Sequence, residues 1–396
     1  MSGAYAQLHH MTDYMGLEDL LSDEERMVRQ AAREFVNREV LPIIERHAQA
    51  QTFPTALIPR MAELGFYGPT LPERYGCSGL SQVAYGLLMY ELERGDSGLR
   101  SFASVQGSLV MWPIFSYGSD AQKDRWLPAL ASGAKIGCFG LTEPDFGSNP
   151  AGMRTRAERT GPGRWRLNGT KMWITNGTLA DVAVVWARTD MGIRGFLVEK
   201  GAKGFSAPET HGKWSLRASV TSELVLEDVE VDEEAALLPG AEGLKAALSC
   251  LTQARYGIAW GALGAADACY QCALDYALAR IQFDRPIASF QLQQEKLAWM
   301  VTELTKGQLL AWRLGMLKER GQATPAQVSM AKMNNVNAAL EICRKARTML
   351  GANGILDEYP IMRHMANLES VYTYEGAHDL QVLIVGQEVT GIPAFR

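Results

Sequence analysis

The residues best placed to do chemistry lie near the end of the chain, in Val371-Tyr372-Thr373-Tyr374-Glu375-Gly376-Ala377-His378-Asp379. One carboxylate, Glu375, stands there between an aromatic ring and a glycine, ahead of an apolar helical pattern through Leu380, Leu383, Ile384 and Val389. A carboxylate so held can act as a general base toward a carbon-bound proton when burial lifts its pKa toward the working pH. A plainer reading fits the same residues: Glu375 and Asp379 are first-turn acids that complement the helix dipole. The segment alone does not choose between them.

The elements that must position Glu375 come in three blocks. Ser22-Asp23-Glu24-Glu25 is a capping-box pattern, and Met27, Ala31, Phe35 and Val36 follow at helical spacing up to Pro42. Further helical stretches run from Ala56 to Leu64 ahead of Gly65, from Ser81 to Arg94, from about Ser97 with an interruption at Pro113, and from Ser119 to Leu130. Between about Lys135 and Val231 the pattern turns to short β-branched and aromatic runs. These are Arg164-Leu167, Lys171-Thr175, Val182-Ala187 and Glu223-Leu226, punctuated by Asn168-Gly169, Asn176-Gly177 and Gly195, which predicts strands and hairpins. From Leu244 the helical period returns in three long stretches, to Ile281, from Gln291 to Arg320, and from Thr324 to Leu350. Long helices with short connections predict a bundle. The fold expected is mainly α with a β middle: a helical domain over 1–133, a central β-barrel-like domain over 134–241, and a C-terminal four-helix bundle over 242–396.

Composition narrows the function classes. The 396 residues are 47% hydrophobic and 21% charged, as in an ordinary globular protein too long for one core. A net charge of -5 without basic runs argues against nucleic acid or an anionic membrane as partner. The six cysteines are scattered, and Cys269-Tyr270-Gln271-Cys272 lacks a second pair for zinc, so core packing is expected and no metal. Met1 to Gly16, with its His9-His10 pair, has neither an apolar signal core nor an arginine-rich transit pattern, and a cytoplasmic location is expected.

The block order and four motifs resemble the acyl-CoA dehydrogenase family, flavoenzymes that desaturate acyl-CoA thioesters. Phe139-Gly140-Leu141-Thr142-Glu143-Pro144 with Gly147-Ser148 is similar to the family's flavin loop, and Trp173-Ile174-Thr175 to its flavin-stacking strand. Cys250-Leu251-Thr252-Gln253-Ala254-Arg255-Tyr256-Gly257 is similar to the helix beside the acyl-CoA, and Tyr374-Glu375-Gly376 to the catalytic-base segment. The resemblance implies FAD as cofactor, with Thr142 bonding the isoalloxazine, Trp173 and Thr175 lining it, and Ser148 meeting the flavin phosphate or the CoA. It also implies that Arg280, Phe283, Gln291, Gly351, Gly354, Ala377 and Phe395 serve the cofactor, in part across a subunit boundary of a homotetramer built as a dimer of dimers. Electron-transfer flavoprotein is the acceptor it implies.

Within the family the nearest resemblance is to glutaryl-CoA dehydrogenases, through Glu91-Ser101, Ser108-Met111, Ser215-Ser219 and Asp357-Ile361 with Arg363-His364. That implies glutaryl-CoA as substrate, Arg100 and Ser101 on its distal carboxylate, Glu375 as base, and Tyr374 and Glu93 tied to decarboxylation. A planar, permanently charged guanidinium suits a carboxylate. Two decoys are set aside. Gly95-Asp96-Ser97-Gly98 imitates a serine-protease nucleophile segment, yet it lies between helical stretches, where a capping turn is expected. No G-x-G-x-x-G follows a strand, so NAD is not expected.

Overall fold

The structure, a computed structural model, describes residues 12–394, so His9-His10 and Phe395 lie outside the described residues. The first block is helical: α1 (Asp23–Phe35), α2 (Leu41–Ala50), α3 (Leu57–Glu63), α4 (Gln82–Gly95), α5 (Ser97–Ser104), α6 (Trp112–Tyr117) and α7 (Asp120–Ala131). The predicted capping box forms, with Ser22 Oγ accepting from Glu25 N–H and Glu25 reaching back to the Ser22 amide. Pro42 does not end the first helix. A π-helical turn, Val36–Val40, joins α1 to α2, and Pro42 sits in the first turn of α2, where its missing N–H is harmless. A second π turn, Val105–Met111, joins α5 to α6 and places Pro113 the same way. Met27, expected on the inner face, is exposed, and Ala32, Phe35 and Val36 take the core.

The middle block is one curled seven-stranded sheet: β1 (Gly137–Gly140), β2 (Arg156–Gly161), β3 (Arg164–Thr175), β4 (Val182–Thr189), β5 (Gly192–Glu199), β6 (Phe205–Ser206) and β7 (Thr221–Asp232). The order is β1-β4-β2-β3-β7-β6, with β5 on β4 and β1 parallel to β4. Asn168-Gly169, expected as a hairpin turn, is instead a register shift inside the continuous strand β3. Gly169 has φ +148°, and a Cβ there would collide with Thr155, which is why a glycine appears mid-strand. Gly195 likewise lies within β5.

After the short α8 (Glu233–Ala236), the last block consists of α9 (Gly243–Ala279), a hairpin β8–β9 (Ile281–Gln282, Arg285–Pro286), α10 (Gln291–Glu319), α11 (Pro325–Met349), α12 (Ile361–Thr373) and α13 (His378–Thr390). The arrangement is the one expected: helices, a curled sheet, then helices. α9 is the axle, because alanine and glycine let α4 pack closely against it on one side and α11 on the other. Among the described residues no helix is long and apolar enough to cross a membrane, and no His, Cys, Asp and Glu side chains gather to hold a metal. All six cysteines are free.

The α4–α9 contact has a sharp dependence on one glycine. A Cβ on Gly264 would strike the Tyr90 carbonyl of α4, backbone that cannot swing aside. Gly264→Ala is predicted to cost about 1–3 kcal/mol by overpacking; a thermal melt should show a lower Tm, and an unchanged Tm would contradict so close a crossing.

Candidate active site

Glu375 lies in the Tyr374–Ala377 connection between α12 and α13, half-buried, in the left-handed conformation with φ +53°. Three consecutive carbonyls of this connection turn inward onto buried donors. Lys332 Nζ of α11 donates to Tyr374 O and to Gly376 O, each at 2.6 Å. Arg255 Nε of α9 donates to Glu375 O at 2.6 Å, and Gln381 Nε2 of α13 to Gly376 O at 2.9 Å. A trans peptide points its N–H opposite to its C=O, so the Glu375 and Gly376 amides face away from these donors. Neither makes a hydrogen bond among the described residues. The side-chain Oε2 of Glu375 is occluded and unpartnered. Burial pushes its pKa above the ordinary carboxylate range, and Glu93 adds to this, while Arg100, Lys332 and Arg255 pull it down. The dipole-capping reading does not account for that burial.

Facing Glu375 is a second cluster. Arg100 is fully buried on α5, its Nε donating to Glu93 Oε2 of α4 at 2.7 Å. Its Nη2 donates to Tyr374 Oη, which lies 3.2 Å from Ser101 Oγ. Nη1 of Arg100 has no partner among the described residues, nor has Glu93 Oε1. Gly261 of α9 makes room, since a Cβ there would strike Glu93 Oε2. α5 owes its position to Asp96, whose carboxylate accepts from the Gly98 amide at 2.7 Å and from Arg363 and Asn367 of α12 at 2.6 and 3.0 Å. The Gly95–Gly98 segment is thus a capping turn.

The predicted cofactor loop and strand are brought side by side. Met172 N–H donates to Thr142 O at 2.9 Å, so the loop after β1 runs against β3 next to Trp173. A buried ion pair locks the loop: Glu143 accepts from Lys171 Nζ at 2.9 Å and from the amides of Arg154 and Thr155 at 2.6 and 2.9 Å. Lys171 also donates to Leu141 O at 3.1 Å. Burial tends to raise the Glu143 pKa, but these donors win and hold it below its usual value, while burial lowers that of Lys171 to about 8. Trp173 stands on a bulge between Lys171 and Ile174, with φ +61° and 59% exposure. An indole held outward on a left-handed bulge is a platform for a planar group, and it fits a flavin. Phe139, Leu141 and Ile174 are buried beneath, Gly140 packs against Lys171 and Leu224, and Gly147 and Ser148 are exposed. Asn176, just past Thr175, donates weakly to Phe102 O of α5 at 3.4 Å, tying this platform to the helix that carries Arg100.

Other predicted residues are not brought into this cluster. Tyr256 Oη donates to Gln82 O at 2.7 Å and Gln253 accepts from Lys318 at 2.7 Å, so both face neighbouring helices. Cys250 and Ala254 are buried, Leu251 and Thr252 lie half-buried on α9, and Gly257 packs under Tyr85. Arg280, Phe283 and Gln291 are exposed around the β8–β9 hairpin, Phe283 at 87% with φ +51°. Gly351 and Gly354 lie in the turn after α11, and Ala377 caps α13 without a side-chain bond.

The comparisons with known proteins cover all three blocks. Acyl-CoA dehydrogenase, N-terminal domain, matches residues 22–134; the middle domain matches 138–229; and the C-terminal domain matches 241–390. The chain belongs to the acyl-CoA dehydrogenase family. A crystal structure of glutaryl-CoA dehydrogenase from Mycobacterium smegmatis is similar at 57% identity and TM-score 0.95, over 97% of this chain and 99% of that one. A glutaryl-CoA dehydrogenase from the same organism in complex with FADH2 is 54% identical, with TM-score 0.94, over 96% and 98%. The human mitochondrial short-chain specific acyl-CoA dehydrogenase is 36% identical over 96% of this chain and 93% of its own. As an acyl-CoA dehydrogenase the chain adds three residues that the sequence reading missed, Lys171, Lys332 and Gln381. Two are cations on buried stripes: Lys171 alternates with Trp165 and Leu167, and Lys332 lines up with Val328, Ala331 and Asn335, whereas Gln381 is buried among half-buried and exposed neighbours on α13.

The Lys171–Glu143 pair makes a prediction for the loop. Lys171→Met leaves Glu143 buried without its cation, a change worth about 3–5 kcal/mol when one partner of a buried pair is removed. The purified variant is expected to lose most of its bound flavin, read as the 450 nm-region absorbance per protein; full retention would show that the pair does not hold the loop.

Proposed function

We propose that this acyl-CoA dehydrogenase binds FAD and oxidises glutaryl-CoA, releasing carbon dioxide and crotonyl-CoA. The observation that carries the reading is Arg100, a fully buried guanidinium whose Nη1 has no partner among the described residues. An unmet buried donor costs about 1–3 kcal/mol, more when charged, and an acyl chain ending in methyl offers nothing to it. A distal carboxylate does, bidentately, and Ser101 and Tyr374 stand beside it. Arg100, Arg255 and protonated Lys332 against Glu93 and Glu375 also leave one positive charge over, which that carboxylate neutralises.

The reaction then follows from the chain's own groups. Glu375 removes the proton α to the thioester carbonyl, and its outward-facing amide stabilises the enolate oxygen as charge develops there. FAD, when bound against Trp173 and the Thr142 loop, accepts hydride from the β carbon. The glutaconyl thioester next loses its carboxylate as carbon dioxide, the breaking C–C bond leaving its electron pair in a dienolate. Protonated Glu375 returns its proton to that dienolate, giving crotonyl-CoA. Burial, by raising the Glu375 pKa, fits one residue to both transfers. The exposed apolar residues Ile281 and Phe283 of the hairpin, with Leu292 at the start of α10, support a homo-oligomer in which a second copy covers them, and electron-transfer flavoprotein is the acceptor expected.

The rival reading, a short-chain acyl-CoA dehydrogenase, is separated by Arg100. Arg100→Gln is predicted to lower kcat/KM for glutaryl-CoA by about a hundredfold or more, equivalent to roughly 3 kcal/mol, and for butyryl-CoA by less than about tenfold. Equal losses on both substrates would favour the rival. Glu375→Gln is predicted to lose about 10²–10⁴ in kcat on either substrate while keeping its flavin.

A further inference from the structure

Nothing in the reaction as derived uses Lys332. It lies on the inner face of α11, 1% exposed, with Ala331 and Asn335 buried beside it. An ammonium there is costly without compensation, and two neutral carbonyls do not balance its charge. The charged and titratable groups that bear on it are Glu375 from the connection, Arg255 from α9 and Arg100 from α5, with half-exposed His378 at the start of α13; among the described residues none comes from α10 or α12, which also pack on α11. Glu375 is the negative one among them. Glu93 of α4 is already bonded to Arg100.

The geometry is as specific as the charge. The two carbonyls that Lys332 grips flank Glu375, and between them the backbone takes successive left-handed conformations, φ +53° at Glu375 and +97° at Gly376. A residue with a side chain enters the left-handed region against the clash of its Cβ with the following carbonyl oxygen, so this conformation needs an external hold. Drawing both carbonyls to one point supplies it, and the same rotation sends the Glu375 amide toward the reaction side.

We propose that Lys332 is a positioning residue for the reaction: its ammonium fixes the peptide groups on either side of Glu375 and supplies the nearby positive charge that keeps the base ionised. This rests on Glu375 being the base. Burial lowers the Lys332 pKa to about 7, opposed by Glu375, so the amine and the carboxylate favour each other's charged forms. Removing the amine's charge leaves Glu375 buried with one cation fewer, which raises its pKa; the acid limb of the rate profile must then move to higher pH.

The test is the pH dependence of kcat for the flavin-loaded enzyme with saturating acyl-CoA. In Lys332→Gln, which keeps a donor and loses the charge, the acid limb is expected to rise by about one pH unit, with KM nearly unchanged. Lys332→Met, which keeps the shape without a donor, must show the same displacement. Lys332→Arg, which keeps the charge, should leave the limb within about 0.3 unit of the unmodified enzyme. A limb that stays put in Lys332→Gln or Lys332→Met, however far kcat falls, would overturn the proposal, because a merely structural lysine lowers the rate without moving the profile. Turnover retained by Glu375→Gln would instead overturn the base assignment beneath it.

Discussion

The site depends on one constraint, the inward turn of three consecutive carbonyls, Tyr374, Glu375 and Gly376, onto Arg255, Lys332 and Gln381. Those bonds impose the left-handed backbone at Glu375, and the amides must then face the opposite way. The Glu375 carboxylate and the two outward amides, the proposed base and oxyanion donors, are thereby set by a single peptide conformation. α9, α11 and α13 each supply a donor, so the bundle's packing is transmitted directly to the reacting groups. The small residues along α9 serve this arrangement: they let α4 and α11 pack closely against it, and α11 brings Lys332 to the connection.

The second constraint is electrostatic. Arg100 is committed to Glu93 on one edge and to Tyr374 on another, leaving its third edge open. A guanidinium in that state is oriented before any ligand arrives, which lowers the ordering cost of binding a carboxylate. It also bears on Glu375, since its charge pulls the pKa of that carboxylate down. In the proposed reaction, specificity and acidity are coupled through this one residue.

Much of this was legible in the chain. Three long helical periods, the capping box at Ser22, the helix start at Thr324, and the switch to β-branched runs after Lys135 all reflect local patterns that the structure keeps. Glu375, Arg100 and Trp173 were legible only as members of a family pattern, because a lone acid, arginine or tryptophan has a plainer explanation. What escaped was set by long-range contacts. The register shift that absorbs Asn168-Gly169 depends on pairing with β7, sixty residues away, and the π turns that carry the chain past Pro42 and Pro113 leave no simple spacing. Lys171 and Lys332 had a usable signal, a cation on an otherwise buried stripe, but a stripe does not say which carboxylate or carbonyl completes it.

The central claim is that a half-buried base with an occluded carboxylate oxygen faces a buried arginine whose unpartnered edge is meant for a substrate carboxylate. Its most direct measurement uses the unmodified, flavin-loaded protein, mixed without oxygen with glutaryl-CoA labelled in the distal carboxylate and, separately, with butyryl-CoA. The account predicts rapid flavin bleaching by glutaryl-CoA, label recovered as carbon dioxide, and crotonyl-CoA as product, with slower bleaching by butyryl-CoA. Faster bleaching by butyryl-CoA than by glutaryl-CoA, with the label kept in the thioester, would contradict it.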